Sequence, residues 1–173
     1  MNAVILAPGP SLMRFDEAQF GDALVIAVNR AAFAFASTIW ACLDIMFFDK
    51  FRSAPLGRPA LLVEDNAFNQ LQRNAETAWR GERICADVLN DSFPLLPRVT
   101  LYSATAALAF AAFLGAKRID VFGVDWSGVE DWDGVEAGAN RTYHRWKSES
   151  ELWRGIVETI RPRGQSVRRY GFS

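Results

Sequence analysis

His144 is the single histidine of this 173-residue chain, and it stands between Tyr143 and Arg145. An imidazole titrates near neutral pH, so the chemistry it suits is general acid–base work. A hydrogen-bonded structural histidine is the alternative. There is no second histidine and no cysteine cluster to build a zinc site with it. Asp125 ends the apolar run Ile119–Val124, where a carboxylate must find a partner or a ligand. Asn29 and Asp44 occupy the same place after two earlier apolar runs. A side-chain amide there can bond a ribose, a base or a sugar hydroxyl, and a plain turn residue is the alternative. The chain's first apolar run breaks into Pro8-Gly9-Pro10-Ser11. Both prolines lack an N–H and stiffen that turn, leaving Gly9, Ser11 and Leu12 to present amides to a phosphate. Ser11 can equally serve as a helix cap.

Such groups need a scaffold, and short apolar runs alternating with helical patterns supply one. Strands are expected at Ala3–Ala7, Ala23–Val28, Ile39–Leu43, Ala60–Val63, Arg83–Ala86, Val99–Tyr102, Ile119–Val124 and Ser166–Tyr170. Helices are expected at Ser11–Phe20, Met46–Phe51, Asn66–Arg80, Ser103–Leu114 and Ser148–Arg161. This alternation predicts an α/β, Rossmann-like three-layer sandwich with a mostly parallel sheet. Open sheets of that kind bind ligands outside the carboxyl ends of their strands, where Asn29, Asp44 and Asp125 fall. Ser103 can cap the small-residue helix that follows it. The Gly-rich, acidic segment Ser127–Thr142 has no periodicity and reads as a lid loop over that edge, or as a plain surface loop.

The length fits one domain spanning residues 1–173, and half the residues are hydrophobic, enough for a large core. A net charge of −1 argues against a nucleic-acid partner, which needs a basic face. The longest apolar run, Ala104–Leu114, is shorter than the ~20 residues of a membrane span. No secretory leader is recognisable, and Cys42 and Cys85 read as free thiols, so a cytoplasmic location is expected. The apolar fraction is high for so small a chain, which makes a homo-oligomer a further expectation.

The order of these motifs resembles a known group. G-P-S-L follows the first strand, V-N follows the second, and a Ser-initiated helix leads through L-G-A-K-R-I into F-G-V-D before a late histidine. The chain from Ala3 to about Tyr170 resembles the bacterial lipooligosaccharide sialyltransferases of glycosyltransferase family 42. It is also similar to the related domain of motility-associated glycosyltransferases and of a hydroxymethylpterin pyrophosphokinase.

That resemblance implies a CMP-activated sugar lying across the strand ends and transferred without a metal. Gly9, Pro10 and Ser11 would line its phosphate or ribose, and Asn29 and Asp44 would contact sugar or nucleotide. Ser103 would touch the donor sugar, Asp125 would lie by the cytidine–ribose side, and His144 would take the acceptor's proton. Ser127 stands where the family has the first of two lid tyrosines, so Tyr143 with Arg141 or Arg145 would assist the leaving phosphate. Ala7-Pro8 replaces the family's Gly-Asn, and Asp44 replaces an Asn. Two alternatives accompany this reading. In one, Glu130, Asp131, Asp133 and Glu136 hold Mg²⁺ with Asp125 for pyrophosphoryl transfer. In the other, the chain binds a nucleotide without turnover.

Overall fold

The computed structural model describes residues 1–44, 55–73, 79–128, 130–135 and 142–171. The strands are β1 (Asn2–Leu6), β2 (Leu24–Val28), β3 (Ile39–Ala41), β4 (Ala60–Val63), β5 (Arg83–Cys85), β6 (Arg118–Phe122) and β7 (Ser166–Tyr170); the central ones are apolar runs, and the edge strand β7 is mostly polar and exposed. They form one seven-stranded sheet in the order β5-β4-β3-β2-β1-β6-β7. Every pairing is parallel. The fold is the α/β, Rossmann-like one that the alternation predicts. Strand order reverses at β1, which pairs with β2 on one side and β6 on the other, and this reversal opens a crevice at the carboxyl ends.

Alternate residues of each strand serve opposite layers. Ala3 and Ile5 face a core shared with α3 (Val88–Ser92), α4 (Ser103–Phe113) and α5 (Tyr143–Ile160). Val4 and Leu6 face a second core, covered by α1 (Ala31–Ala34), α2 (Asp65–Gln72) and a cluster of aromatic rings. Ser103 to Ala112 are all buried, so α4 is enclosed on every side, and its alanines let neighbouring elements approach closely. No helix among the described residues is long and apolar enough to cross a membrane.

Several elements differ from expectation, each for a visible reason. The helix expected at Ser11–Phe20 is two 3₁₀ turns, Pro10–Arg14 and Glu17–Gln19. Between them Phe15 is extended, and the Asp16 carboxylate accepts the Ala18 N–H at 3.1 Å to start the second turn. Phe15 and Phe20 thereby reach the Phe122 ring, with centroids 5.4 and 5.6 Å away. The strand expected at Val99–Tyr102 is a 3₁₀ turn at Val99–Leu101. There the Thr105 hydroxyl donates to the Val99 carbonyl at 2.7 Å, occupying a group that a sheet ladder would need.

Helix α5 begins at Tyr143 and not at Ser148, because the Thr142 hydroxyl accepts the Arg145 N–H and caps it. His144 and Arg145 are therefore first-turn helix residues. Within the expected Asn66–Arg80 helix, α2 ends at Gln72, and Trp79 and Arg80 are non-helical. The helix expected at Met46–Phe51 lies outside the described residues. Both cysteines are free, Cys42 buried and Cys85 partly so.

Candidate functional site

Two places along the carboxyl edge collect the chemistry-bearing side chains. The first is the crevice between β1 and β6. Gly9 N–H donates to the Gly123 carbonyl at 2.9 Å, and Leu12 N–H donates to the Gly9 carbonyl at 3.0 Å. Ser11 N–H donates to Asp125 Oδ2 at 2.8 Å, while Gly123 N–H donates back to Ser11 Oγ at 2.8 Å. The three amides expected to face a phosphate are thus all engaged within the protein, and a carboxylate of the chain itself sits on the Ser11 N–H. Ser11 braces β6 and does not cap a helix. A Cβ on Gly9 would come within 2.5 Å of the Gly123 carbonyl oxygen and 2.6 Å of Asp125 Oδ2, so only glycine fits. Pro10 opens the 3₁₀ turn beside it. Asp125 Oδ1 and Trp126 Nε1 are buried there without hydrogen-bond partners.

Described residues of the Ser127–Thr142 segment are tied to the turn after β1 and to Arg30. Trp132 N–H donates to the Pro8 carbonyl at 2.9 Å. Arg30 pairs with Asp131 at 2.7 Å and with Asp133, and its guanidinium lies 5.3 Å from the Trp132 ring centroid. Asp131 and Asp133, two of the acids weighed for Mg²⁺, are therefore bound to an arginine. Glu136 and Arg141 lie outside the described residues.

The second place is a cavity of about 290 Å³ beyond β2, β3 and β4. Its lining brings together Asn29, Asp44, Ser103 and Arg145, four residues singled out from the sequence. Asn29 takes a left-handed backbone conformation with φ of 49°. That geometry is fixed by its N–H to the Ala41 carbonyl at 3.1 Å and by the Trp40 indole N–H to its own carbonyl at 3.0 Å. Asparagine tolerates this conformation better than most residues. Its Oδ1 is buried without a partner. Ser103 Oγ accepts the Leu43 N–H at 3.1 Å, joining α4 to the end of β3, and α4 starts with no side-chain cap. The Arg145 guanidinium lies 5.5 Å from the centroid of the Tyr102 ring.

The same lining includes Glu64, Arg98 and Thr100, which the sequence does not single out. Arg98 Nε donates to Glu64 Oε1 at 3.0 Å and to Thr100 Oγ1 at 3.2 Å, and Arg98 Nη2 and the Thr100 hydroxyl also bond the Glu64 carboxylate. These bonds to Glu64 hold the Arg98 guanidinium even more firmly charged than usual. Glu64 follows β4 as Asn29 follows β2 and Asp44 follows β3, so the strand-end rule marks its position. Nothing comparable in the sequence marks Arg98 and Thr100.

His144 is exposed and its ring meets Tyr143 edge-on at 5.9 Å. It is not a lining residue of the cavity, although Arg145 is. Tyr143 and Ser127 are exposed as well.

No family model matches the chain, and neither a curated protein nor a solved structure matches it.

Proposed function

We propose that the chain binds a nucleotide or nucleotide-sugar at the carboxyl edge of its sheet and transfers the sugar from a CMP-activated donor without a metal. One observation supports this reading above the rest. Asn29, Asp44, Ser103 and Arg145 come from four separated segments and line one polar cavity. In the transfer, the acceptor hydroxyl oxygen attacks the anomeric carbon and the bond from that carbon to the phosphate oxygen breaks. The proton of the hydroxyl goes to His144, and CMP departs with the bonding pair. An exposed base in the first turn of α5 suits an acceptor arriving from solvent, and Arg145 beside it faces the cavity. Fixed protein donors stabilise the charge that develops on the leaving phosphate.

Pyrophosphoryl transfer through Mg²⁺ is the weaker reading, because Asp131 and Asp133 already hold Arg30. A thermal-shift panel of CMP, CDP, UDP, GDP and ATP, each with and without Mg²⁺, tests the proposal. Ligands that bind the folded state raise the melting temperature by mass action. We expect stabilisation by CMP or CDP without metal. Binding of ATP only with Mg²⁺ present would transfer the assignment to pyrophosphoryl chemistry, and binding without turnover would leave a nucleotide-binding protein.

A further inference from the structure

We propose that Arg145, lying across the ring of Tyr102, is the oxyanion anchor of the cavity beyond β2–β4. The ligand end held there is a single ring bearing one carboxylate or phosphate and a hydroxyl or amide donor. This rests on the cavity's being a ligand site, as proposed above, but not on the identity of a nucleotide.

The first ground is charge. Among the described residues, Arg30, Arg83, Arg98 and Arg118 are paired with carboxylates, and Arg145 is not. Arg145 is partly exposed in the cavity wall with no carboxylate partner among the described residues, so its guanidinium is open to an anion that enters the cavity. Arg98, the other cation of the lining, is taken up by Glu64. A guanidinium offers a planar fork of donors that fits a carboxylate or a phosphate oxygen pair. The Tyr102 ring, with its centroid 5.5 Å from the guanidinium carbon, supports the cation on one side.

The second ground is that the competing anion site is closed. Gly9, Ser11 and Leu12 amides are all spent within the chain, and the Asp125 carboxylate occupies the Ser11 N–H. An incoming phosphate finds its donors at Arg145 instead.

The third ground is the Asn29 amide oxygen, buried in the same lining with no partner. Buried acceptors in folded proteins are nearly always hydrogen-bonded, so this one fits a ligand O–H or N–H. A volume of about 290 Å³ lies just below the usual range of ligand pockets, about 300 to 1,000 Å³, and so suits one ring with its charged substituent.

Calorimetric titration of the whole chain with CMP, cytidine, glucuronate and glucose tests the anchor and separates phosphate from carboxylate sources. Wild type should bind at least one anionic probe about ten-fold or more tighter than its neutral counterpart, the scale of a charge-assisted hydrogen bond. Arg145→Ala should erase that preference while keeping the melting temperature. Arg145→Lys should restore part of it, since charge returns without the fork. Arg161→Ala, an exposed arginine just beyond the last turn of α5, should change nothing. A preference that survives in Arg145→Ala overturns the anchor while leaving nucleotide binding intact. Arg145-dependent binding of glucuronate without any CMP binding keeps the anchor and removes the nucleotide. Failure of both anionic probes at millimolar concentration overturns the anchor as well.

Discussion

Asp125 Oδ2 accepts the backbone N–H of Ser11 at 2.8 Å across 114 residues of sequence. This bond, with the reciprocal one from Gly123 N–H to Ser11 Oγ, ties the opening turn to the end of β6. Asp125→Ala leaves the Ser11 amide without an acceptor in buried surroundings, which costs about 1–3 kcal/mol. Asp125→Asn keeps an acceptor oxygen and should cost less. Urea denaturation of the two variants checks the ranking; equal stability of wild type and Asp125→Ala would show that the brace is dispensable.

Gly9→Ala is expected to destabilise by about 1–3 kcal/mol, because its methyl would press on the Gly123 carbonyl and on Asp125. Gly123→Ala should be far worse. Its φ of +74° strains any side chain, and a Cβ there would overlap the Ala7 carbonyl. Melting temperatures in the order wild type, Gly9→Ala, Gly123→Ala are the expected result.

The Arg30 clamp should respond unequally to loss of its two acids. The Asp131 side chain is 2% exposed and that of Asp133 is 32% exposed. Asp131→Ala is expected to cost about 2–3 kcal/mol, below the usual range for a broken buried pair because Asp133 still partners Arg30. Asp133→Ala should cost about 1 kcal/mol or less, and added salt should shrink that effect further. Denaturation at low and high ionic strength measures both.

Burial pushes the Cys42 thiol well above its ordinary range, with the nearby Asp44 charge adding to the effect. A raised pKa means that the folded state keeps a proton which the unfolded chain releases above about pH 8.5. The stabilisation is complete below that pH and declines as pH rises past it. Melting temperature should therefore fall between about pH 8 and pH 10, and Cys42→Ala should flatten that slope. An unchanged slope in the variant would remove Cys42 as its source.

His144 is exposed and no hydrogen bond from another described residue holds its ring, so His144→Ala should shift stability by no more than about 0.5 kcal/mol. If it is the transfer base, turnover falls by about 10²–10⁴-fold while CMP affinity holds. Rates equal to wild type would exclude that role.

The central strands β1 to β4 are legible in the sequence because each is a short, largely buried apolar run, whereas the edge strand β7, Ser-Val-Arg-Arg-Tyr, is mostly exposed and polar. The strand-end rule then places Asn29 and Asp44 at the cavity without any knowledge of packing. Arg98 and Thr100 are not legible, since their segment carries the apolar residues of a strand, and side-chain bonds from Thr105, Asn90 and Glu64 hold it as a 3₁₀ turn. His144 and Arg145 are legible as chemistry but not as geometry. Thr142 starts the helix earlier than the hydrophobic period does, and that cap turns Arg145 toward the cavity while His144 stays exposed. The first layer of helix misleads for a similar reason. Phe15 and Phe20, five residues apart, would fall on different faces of one α-helix, and the two 3₁₀ turns with extended Phe15 between them let both rings pack on Phe122.

The pairing of Asn2 with Arg118 has a consequence for the newborn chain. β1 is synthesised before both of its neighbours: β2 follows within about two dozen residues, but β6 comes only at Arg118. At ribosomal speeds of roughly 5–20 residues per second, the β6-facing edge of β1 stays uncovered for something on the order of ten seconds. During that interval Ala3 to Leu6 present a bare row of N–H and C=O groups beside apolar side chains, a template for wrong pairing. The Gly9–Gly123 and Ser11–Asp125 bonds form only once β6 has emerged, so the turn after β1 waits for a partner that lies 114 residues further along the chain.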